Sequence, residues 1–306
     1  MDLRQLAYAV AVADEGGFTA AARSMSVAQP SLSQSIRALE RELGVDLFHR
    51  TTRSVRLTAA GEALIGPARR ALRDAAAARD AVAAVRGLRS GRLDIVCLPT
   101  LAVAPLSELV GRFRAMHPGV TVRVREPADA EAATDAVRQA AAEVGLVELV
   151  EPGRPAAGLA SVSLGAQEYV ALVPPDVAEA LSARHATVAD LAHLPLIAPP
   201  RGTSSRRVID EAFEAVGRHP SIAVETDHRE AIASLVEAGA GVALVPRAVA
   251  VRAASPAAVV VELEPRLSRR IGLIFRPDGL SPAARAFLAI AEPGRPAGPR
   301  GGTPTQ

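Results

Sequence analysis

Between Gln29 and Arg41 the chain carries short hydrogen-bonding side chains and cations in close succession: Gln29, Ser31, Ser33, Gln34, Ser35, Arg37 and Arg41. Amides and guanidinium groups can make paired hydrogen bonds to purine edges, and hydroxyls and cations reach phosphate oxygens, so this mixture suits a DNA groove. Such groups work only if a rigid element holds them. Leu32, Ile36, Leu39 and Leu43 recur at helical spacing and share one face, which leaves the polar groups on the other. Pro30 falls in the first turn, where a missing N–H is harmless. Upstream, Phe18 to Arg23 forms a short helix and Ser24 to Val27 a tight break, which completes a helix-turn-helix pattern. On this pattern alone, an ordinary helical hairpin with a solvated polar face is the competing reading.

The flanks decide between them. Leu3, Leu6, Val10 and Ala13 predict an amphipathic first helix over 2–13, ended near Gly16-Gly17. The run from Leu47 to Leu57 reads as two short strands around a polar tip bearing Arg50, Thr51 and Arg53, a wing whose arginines suit phosphates or a narrow minor groove. All 35 basic residues are arginine, and residues 1–90 hold 13 of them against 9 acidic residues, whereas the remainder holds 22 against 24. A basic front on a near-neutral body points to a polyanion partner at one end.

At this point residues 1–65 resemble the N-terminal domain of LysR-type transcriptional regulators. The stretches that carry the resemblance are Phe18-Thr19-Ala20-Ala21-Ala22, Val27 to Ser33, Ile36 to Glu40, Leu43 to Arg50, and Leu57 to Glu62. The resemblance implies a winged helix-turn-helix in which Gln29, Pro30, Ser31, Ser33, Gln34 and Arg37 face double-stranded DNA, with Arg50, Thr51 and Arg53 in the wing. Many relatives carry a basic residue where this chain has Gln34, so a different base preference is expected.

Thr58 can cap a helix running to about Leu88, in which Leu64, Ala68, Ala71, Ala75, Ala78, Val82 and Val85 trace a heptad seam. Pro67 should kink it or perturb its first turns. In similar regulators this segment is a linker helix that pairs subunits, which implies a homodimer or homotetramer on an inverted-repeat operator. Gly87 to Gly91 follows as a flexible joint. From Arg92 strands alternate with helices: strands near 93–98, 120–124, 144–147, 169–173, 196–198, 222–224, 242–245, 258–263 and 270–275, and helices around 106–113, 129–142, 204–216, 228–238 and 281–291. That rhythm implies mostly parallel sheet. The tail, 293–306, is rich in proline and glycine and reads as disordered.

The fold class is therefore α/β overall: an all-α winged helix-turn-helix (1–58), a linker helix (59–88) and a two-lobed effector-binding domain (89–292). Lobe one takes 91–164 and 267–292, and lobe two 165–266. This late return of the chain resembles the effector region of the same regulators, itself similar to periplasmic solute-binding proteins, and Glu237 to Pro246 matches a recurring family stretch.

In open α/β sheets ligands bind beyond the carboxyl ends of strands, at helix N-termini. Three turns meet that condition: Pro99-Thr100-Leu101, Pro200 to Ser204, and Asp227-His228. Thr100, Leu101, Arg201, Thr203, Ser204 and His228 are the candidate effector contacts, suited to a small organic anion such as a carboxylate, with Arg206 as a further clamp. Helix capping by Thr100, Thr203 and Ser204 accounts for them equally well. No Gly-x-Ser-x-Gly elbow, Walker loop or metal spacing occurs, so no catalytic residue, metal or cofactor is read. The single cysteine, Cys97, fits a buried strand position and a reducing cytosol. Neither a signal peptide nor a membrane-length apolar run is recognisable, which suits a cytoplasmic, nucleoid-associated protein. The reading is an effector-responsive DNA-binding regulator. An effector-independent regulator with a vestigial pocket, or a solute-binding protein, are the alternatives.

Overall fold

The computed structural model describes residues 1–50, 55–84, 91–149, 158–181 and 185–292. The wing tip with Thr51 and Arg53, the end of the linker helix with the following joint, and the 293–306 tail lie outside these residues.

The head begins with α1 (Leu3–Glu15), whose first turn is closed by a reciprocal pair: Asp2 accepts from the Gln5 N–H, and the Gln5 side chain accepts from the Asp2 N–H. Gly16 ends it in the left-handed region that glycine adopts without strain. Helices α2 (Phe18–Ser24) and α3 (Gln29–Leu43) follow, then a two-stranded antiparallel wing, β1 (Phe48–Arg50) and β2 (Val55–Leu57). Val12, Ala21, Leu32, Ile36, Leu39 and Leu47 form a sealed apolar centre under all three helices. Each fully buried Leu or Ile there contributes about 1.5–3 kcal/mol. Helix α4 (Ala59–Ala84) then runs through Pro67 as one element and packs on α1.

The body contains β3 (Gly91–Cys97), α5 (Pro99–Leu101), α6 (Ser107–Met116), β4 (Val120–Arg125), α7 (Ala130–Arg138), β5 (Val144–Glu148) and β6 (Ala160–Val173). Next come α8 (Pro175–Ala180), β7 (His185–Ala186), α9 (Val188–Leu191), β8 (Pro195–Ala198), α10 (Ser204–Ala215), β9 (Ser221–Glu225), α11 (Ala231–Glu237) and β10 (Val242–Pro246). The chain closes with α12 (Arg247–Ala253), β11 (Val259–Leu263), β12 (Leu267–Phe275) and α13 (Pro282–Ala291). Two elements are shorter than the sequence pattern suggests. The 129–142 helix stops at Arg138 because Ala140 turns left-handed (φ 61°), so the Ala141 and Ala142 N–H groups bond back to Ala136 O. The 228–238 helix begins only at Ala231.

Strands pair in the order β4-β3-β5-β12-β6-β10-β8-β9, with β11 and β7 beside β6. The parallel ladders lie toward the two ends, β4-β3-β5 in one direction and β10-β8-β9 in the other. Every antiparallel ladder of this sheet involves β6 or β12, the two long strands that join the halves. Each half has its own core. Leu93, Ile95, Phe113, Leu146, Leu273 and Phe287 anchor the first, and Ala171, Leu196, Ile209, Phe213, Val242 and Val261 lie in the second. Leu267 packs on the second core, whereas Ile271 belongs to the first, so β12 crosses between them at Arg269 and Arg270. On β6 the crossing is marked by Gly165 at φ 92°, beside a register shift opposite Ile271 and Gly272.

Candidate functional site

The first site is the outer face of α3. Leu32, Ile36 and Leu39 are wholly buried behind it, so the helix cannot roll, and Gln29, Pro30, Ser31, Gln34 and Arg37 are exposed in front, with Ser33 half-buried. Two contacts fix the helix pair to the wing, one from α3 and one from α2. The Glu40 carboxylate accepts from the Leu47 N–H at 3.0 Å, and Phe18 meets Phe48 edge-on with ring centroids 5.8 Å apart. The base of the wing is tied to the linker through Thr58, whose hydroxyl donates to Asp46 O at 2.7 Å and accepts from the Gly61 N–H at 3.0 Å. Arg50 ends β1 opposite Val55, so its backbone lies at the last pair before the wing tip.

The second site lies where β6 and β12 cross. Gln167 and Arg269 are register partners on these strands. The Arg269 guanidinium, only 5% exposed as a residue, donates through Nε and Nη2 to Gln167 Oε1 at 2.9 and 2.7 Å. Its Nη2 also donates to Thr100 Oγ1 at 2.6 Å, and its Nη1 to Ser204 Oγ. The Tyr169 ring lies 5.6 Å from its charge centre, a cation–π distance, and burial pushes the Tyr169 phenol above its ordinary range. Ser204 donates in turn to Glu148 Oε2 at 2.9 Å, and Arg207 donates to the same oxygen at 2.8 Å. Arg229 reaches Glu126 at 3.4 Å. Thr100, Glu126 and Glu148 belong to the first half and Ser204, Arg207 and Arg229 to the second, so the cleft is bridged by polar contacts on both sides of one buried cation.

Two cavities open near this cation, and Arg269 itself lines the smaller of them. A small polar one is lined by Thr100, Glu126, Asp129, Thr203, Ser204, Arg229 and Arg269. A cavity of about 370 Å³ adjoins it, with mostly apolar walls that include Pro99, Val103, Ile232, Leu244, Val245, Pro246 and Val249, and with Thr100, Ser205, Arg229 and Glu230 as its polar lining. Apolar walls with a few convergent donors suit an amphipathic small molecule.

Of the residues expected from sequence, Thr100, Thr203 and Ser204 meet here. Thr203 also caps α10 by accepting from the Arg206 N–H at 3.2 Å, so the capping and cleft readings coexist. Leu101 is fully buried in the first core and lines neither cavity, because α5 turns it inward. Arg201 is exposed and lines neither. His228 stands at 74% side-chain exposure between Asp227 and Glu230, ahead of the helix it was expected to open. Arg206 is buried, held by Asp210, Glu225 and Pro199 O, and lines neither cavity. Sequence reading missed Gln167, Arg229 and Arg269. Placing the last strand at 270 instead of 267 left Arg269 in a loop; the in-out alternation from Leu267 would have turned it inward.

A family model described as "Bacterial regulatory helix-turn-helix protein, lysR family" matches residues 3–62, and one described as "LysR substrate binding domain" matches 86–294. The chain is 32% identical to the transcriptional regulator IlvR of Caulobacter vibrioides over 95% of this chain and 97% of that one. It is 30% identical to TfdS of Cupriavidus pinatubonensis over 96% and 99%. Among solved structures, a full-length OxyR variant from Pseudomonas aeruginosa superposes with a TM-score of 0.75 at 25% identity, covering 95% of this chain and 93% of that one. Full-length CbnR in complex with its target DNA superposes at 0.66 and 27% identity, covering 95% and 99%.

Proposed function

The chain belongs to the LysR family of bacterial transcriptional regulators, and from that premise we propose how its two sites divide the work. It is a DNA-binding regulator with a substrate-binding domain, and not an enzyme. In our reading residues 1–58 read DNA, 59–88 join subunits, and 89–292 bind an effector between a lobe of 91–164 with 267–292 and a lobe of 165–266. Gln29, Pro30, Ser31, Ser33, Gln34 and Arg37 face the major groove. Arg50, Thr51 and Arg53 hold phosphates or the minor groove. Two or four copies present paired heads to an inverted repeat in the cytoplasm.

The observation that carries the effector reading is Arg269, a buried cation that touches Thr100 from one half and Ser204 from the other, near the 370 Å³ apolar cavity. A carboxylate with an apolar body satisfies both. Its charge competes with Ser204 and Glu148 for the polar end, and its body displaces water from the apolar end. Binding then changes how the halves are bridged and shifts the population of DNA-bound assemblies. TfdS and IlvR are named as regulators, and CbnR was solved on its target DNA, which supports DNA as the first partner.

The test is nuclease footprinting upstream of the protein's own gene, with and without a panel of aliphatic and aromatic carboxylates, across a salt series. The proposal expects a salt-sensitive footprint whose extent changes with one class of acid. A footprint that no acid alters, with no thermal shift, would favour the vestigial-pocket alternative.

A further inference from the structure

The charges that line the cleft define its ligand more narrowly than an organic anion. Pro99, Thr100, Ser205 and Arg229 line both the small polar cavity and the 370 Å³ apolar one, so they mark the junction between them. The polar cavity measures about 30 Å³, enough for a water-sized group such as an ammonium and tight for a carboxylate. Glu126 and Asp129 both line it.

Together the two cavities are lined by three carboxylates, Glu126, Asp129 and Glu230, and by two guanidiniums, Arg229 and Arg269. Both guanidiniums already have a counter-ion: Glu148 lies 3.7 Å from Arg269, and Glu126 lies 3.4 Å from Arg229. The surplus is acidic. Asp129 caps α7 by accepting from the Ala132 N–H at 2.7 Å, and its carboxylate has no ion-pair partner among the described residues. A plain carboxylate entering here would draw Arg229 away from Glu126 and leave two like charges sharing the small cavity, which opposes binding. An ammonium on the same molecule removes that conflict. Arg229 then passes from Glu126 to the incoming carboxylate, and the ammonium takes its place beside Glu126 and Asp129. The number of ion pairs is kept and the net charge of the site does not change.

We propose that the effector is a zwitterionic α-amino acid with an apolar side chain, an inference that rests on the cleft being the effector site. The amino group enters the small cavity, the carboxylate stays at the junction, and the side chain lies among Val103, Ile232, Leu244 and Val249. One α-carbon carries all three groups, which matches three compartments that meet at one point. At the junction the carboxylate accepts from Arg229 in a charge-assisted bond. Thr100 is suited to a second bond there: its Oγ1 accepts from Arg269, and its own O–H has no acceptor among the described residues.

The experiment is titration calorimetry on the full-length protein at pH 7.5 and constant ionic strength, with valine, leucine, methionine and phenylalanine as probes. Each is measured beside its deaminated acid and its decarboxylated amine, which keep the apolar body and lose one charge. The expected result is that at least one amino acid binds saturably, and about tenfold or more tighter than both of its counterparts. Glu126→Gln, at an exposed position, removes the partner of the ammonium and frees Arg229, so it should erase or reverse the preference for the amino acid over the acid. Asp129→Asn, which can still cap α7, should reduce the same preference. Val249→Phe, which fills the apolar cavity, should abolish binding of the amino acid. A deaminated acid that binds as tightly as its amino acid would overturn the zwitterion and leave the cleft as a site for simple anions. An amine that binds as tightly, a preference that neither Glu126→Gln nor Asp129→Asn alters, or binding that survives Val249→Phe would also overturn it. If no amino acid, acid or amine binds, the zwitterion and the effector reading of the cleft fall together.

Discussion

Arg269 Nη2 donates to Thr100 Oγ1 at 2.6 Å, a bond that joins positions 169 apart in sequence. Because the same guanidinium also holds Gln167 and Ser204, its removal leaves buried acceptors unmatched in both halves of the body. Arg269→Met should destabilise the protein by roughly 1–3 kcal/mol, the cost of stranding buried polar groups. A lowered midpoint in urea unfolding would register this. In footprinting, the same variant should still occupy its operator but no longer answer to an acid that alters the wild-type footprint. A variant that keeps the wild-type response would remove Arg269 from the effector site.

Gln34 and Arg37 project from the exposed face of α3, and the two should fail differently. If Arg37 meets phosphate, Arg37→Ala weakens binding to all sequences alike and reduces the salt slope by about one. If Gln34 reads a base edge, Gln34→Ala costs about 1–3 kcal/mol at one base pair of the operator and little elsewhere. Fluorescence anisotropy with the operator and its single-site variants, repeated at several salt concentrations, separates the two. An unchanged salt slope for Arg37→Ala would move Arg37 off the backbone.

At Gly61 a side chain has nowhere to go. An added Cβ would lie 2.2 Å from Leu47 O and 2.9 Å from Leu57 Cδ2, so the wing base or the start of α4 must shift. Gly61→Ala should cost about 1–3 kcal/mol, as overpacking does, and should weaken DNA binding uniformly because the wing moves against α3. Thermal unfolding of the head together with operator affinity checks this, and wild-type values in both would show that the wing has slack there.

These predictions rest on elements that differ in how openly the sequence displays them. The head is legible because its signals are local: Leu32, Ile36 and Leu39 mark the buried face, Pro30 the start and Gly44 the left-handed end of α3. The cleft is only half legible. Thr100, Thr203 and Ser204 follow strands and open helices, so a general rule for α/β sheets finds them. Arg269 and Gln167 obey no such rule. They come together because two strands distant in sequence cross in one register, and that register is set by the packing of both halves. Charge identity also misled. Arg206 and Arg201 sit near the right turn, but Arg206 is neutralised by Asp210 and Glu225 within its own half, and Arg201 points to solvent.

Cys97 lies buried at the end of β3, its thiol 3.2 Å from Leu98 O, and burial pushes its pKa up to about 12. The thiolate is the reactive form, and at pH 7–9 the group stays neutral, well below the pH at which it ionises. Labelling by a thiol-specific disulfide reagent should therefore be slow in the folded protein across that range and fast in denaturant. Rapid labelling under native conditions would mean that β3 opens locally, or that the thiol is exposed in the assembled oligomer.

Val249 offers the most direct separation of the two regulatory readings. It borders the 370 Å³ cavity together with Val103, Ile232 and Leu244, and Arg269 does not line that cavity. Val249→Phe adds apolar volume to a void, where overpacking is relieved, so stability should stay within about 1 kcal/mol of wild type. It leaves the Arg269, Thr100 and Ser204 contacts in place and lies far from the α3 face. Basal operator affinity should be unchanged, whereas a ligand whose apolar body needs that space should lose its effect. Thermal shift and footprinting on the same preparation measure both. A variant that has lost the ligand-induced shift but keeps its basal footprint supports an amphipathic effector in this cavity. One that responds as wild type does would show that the acid binds elsewhere and that the apolar cavity is unused.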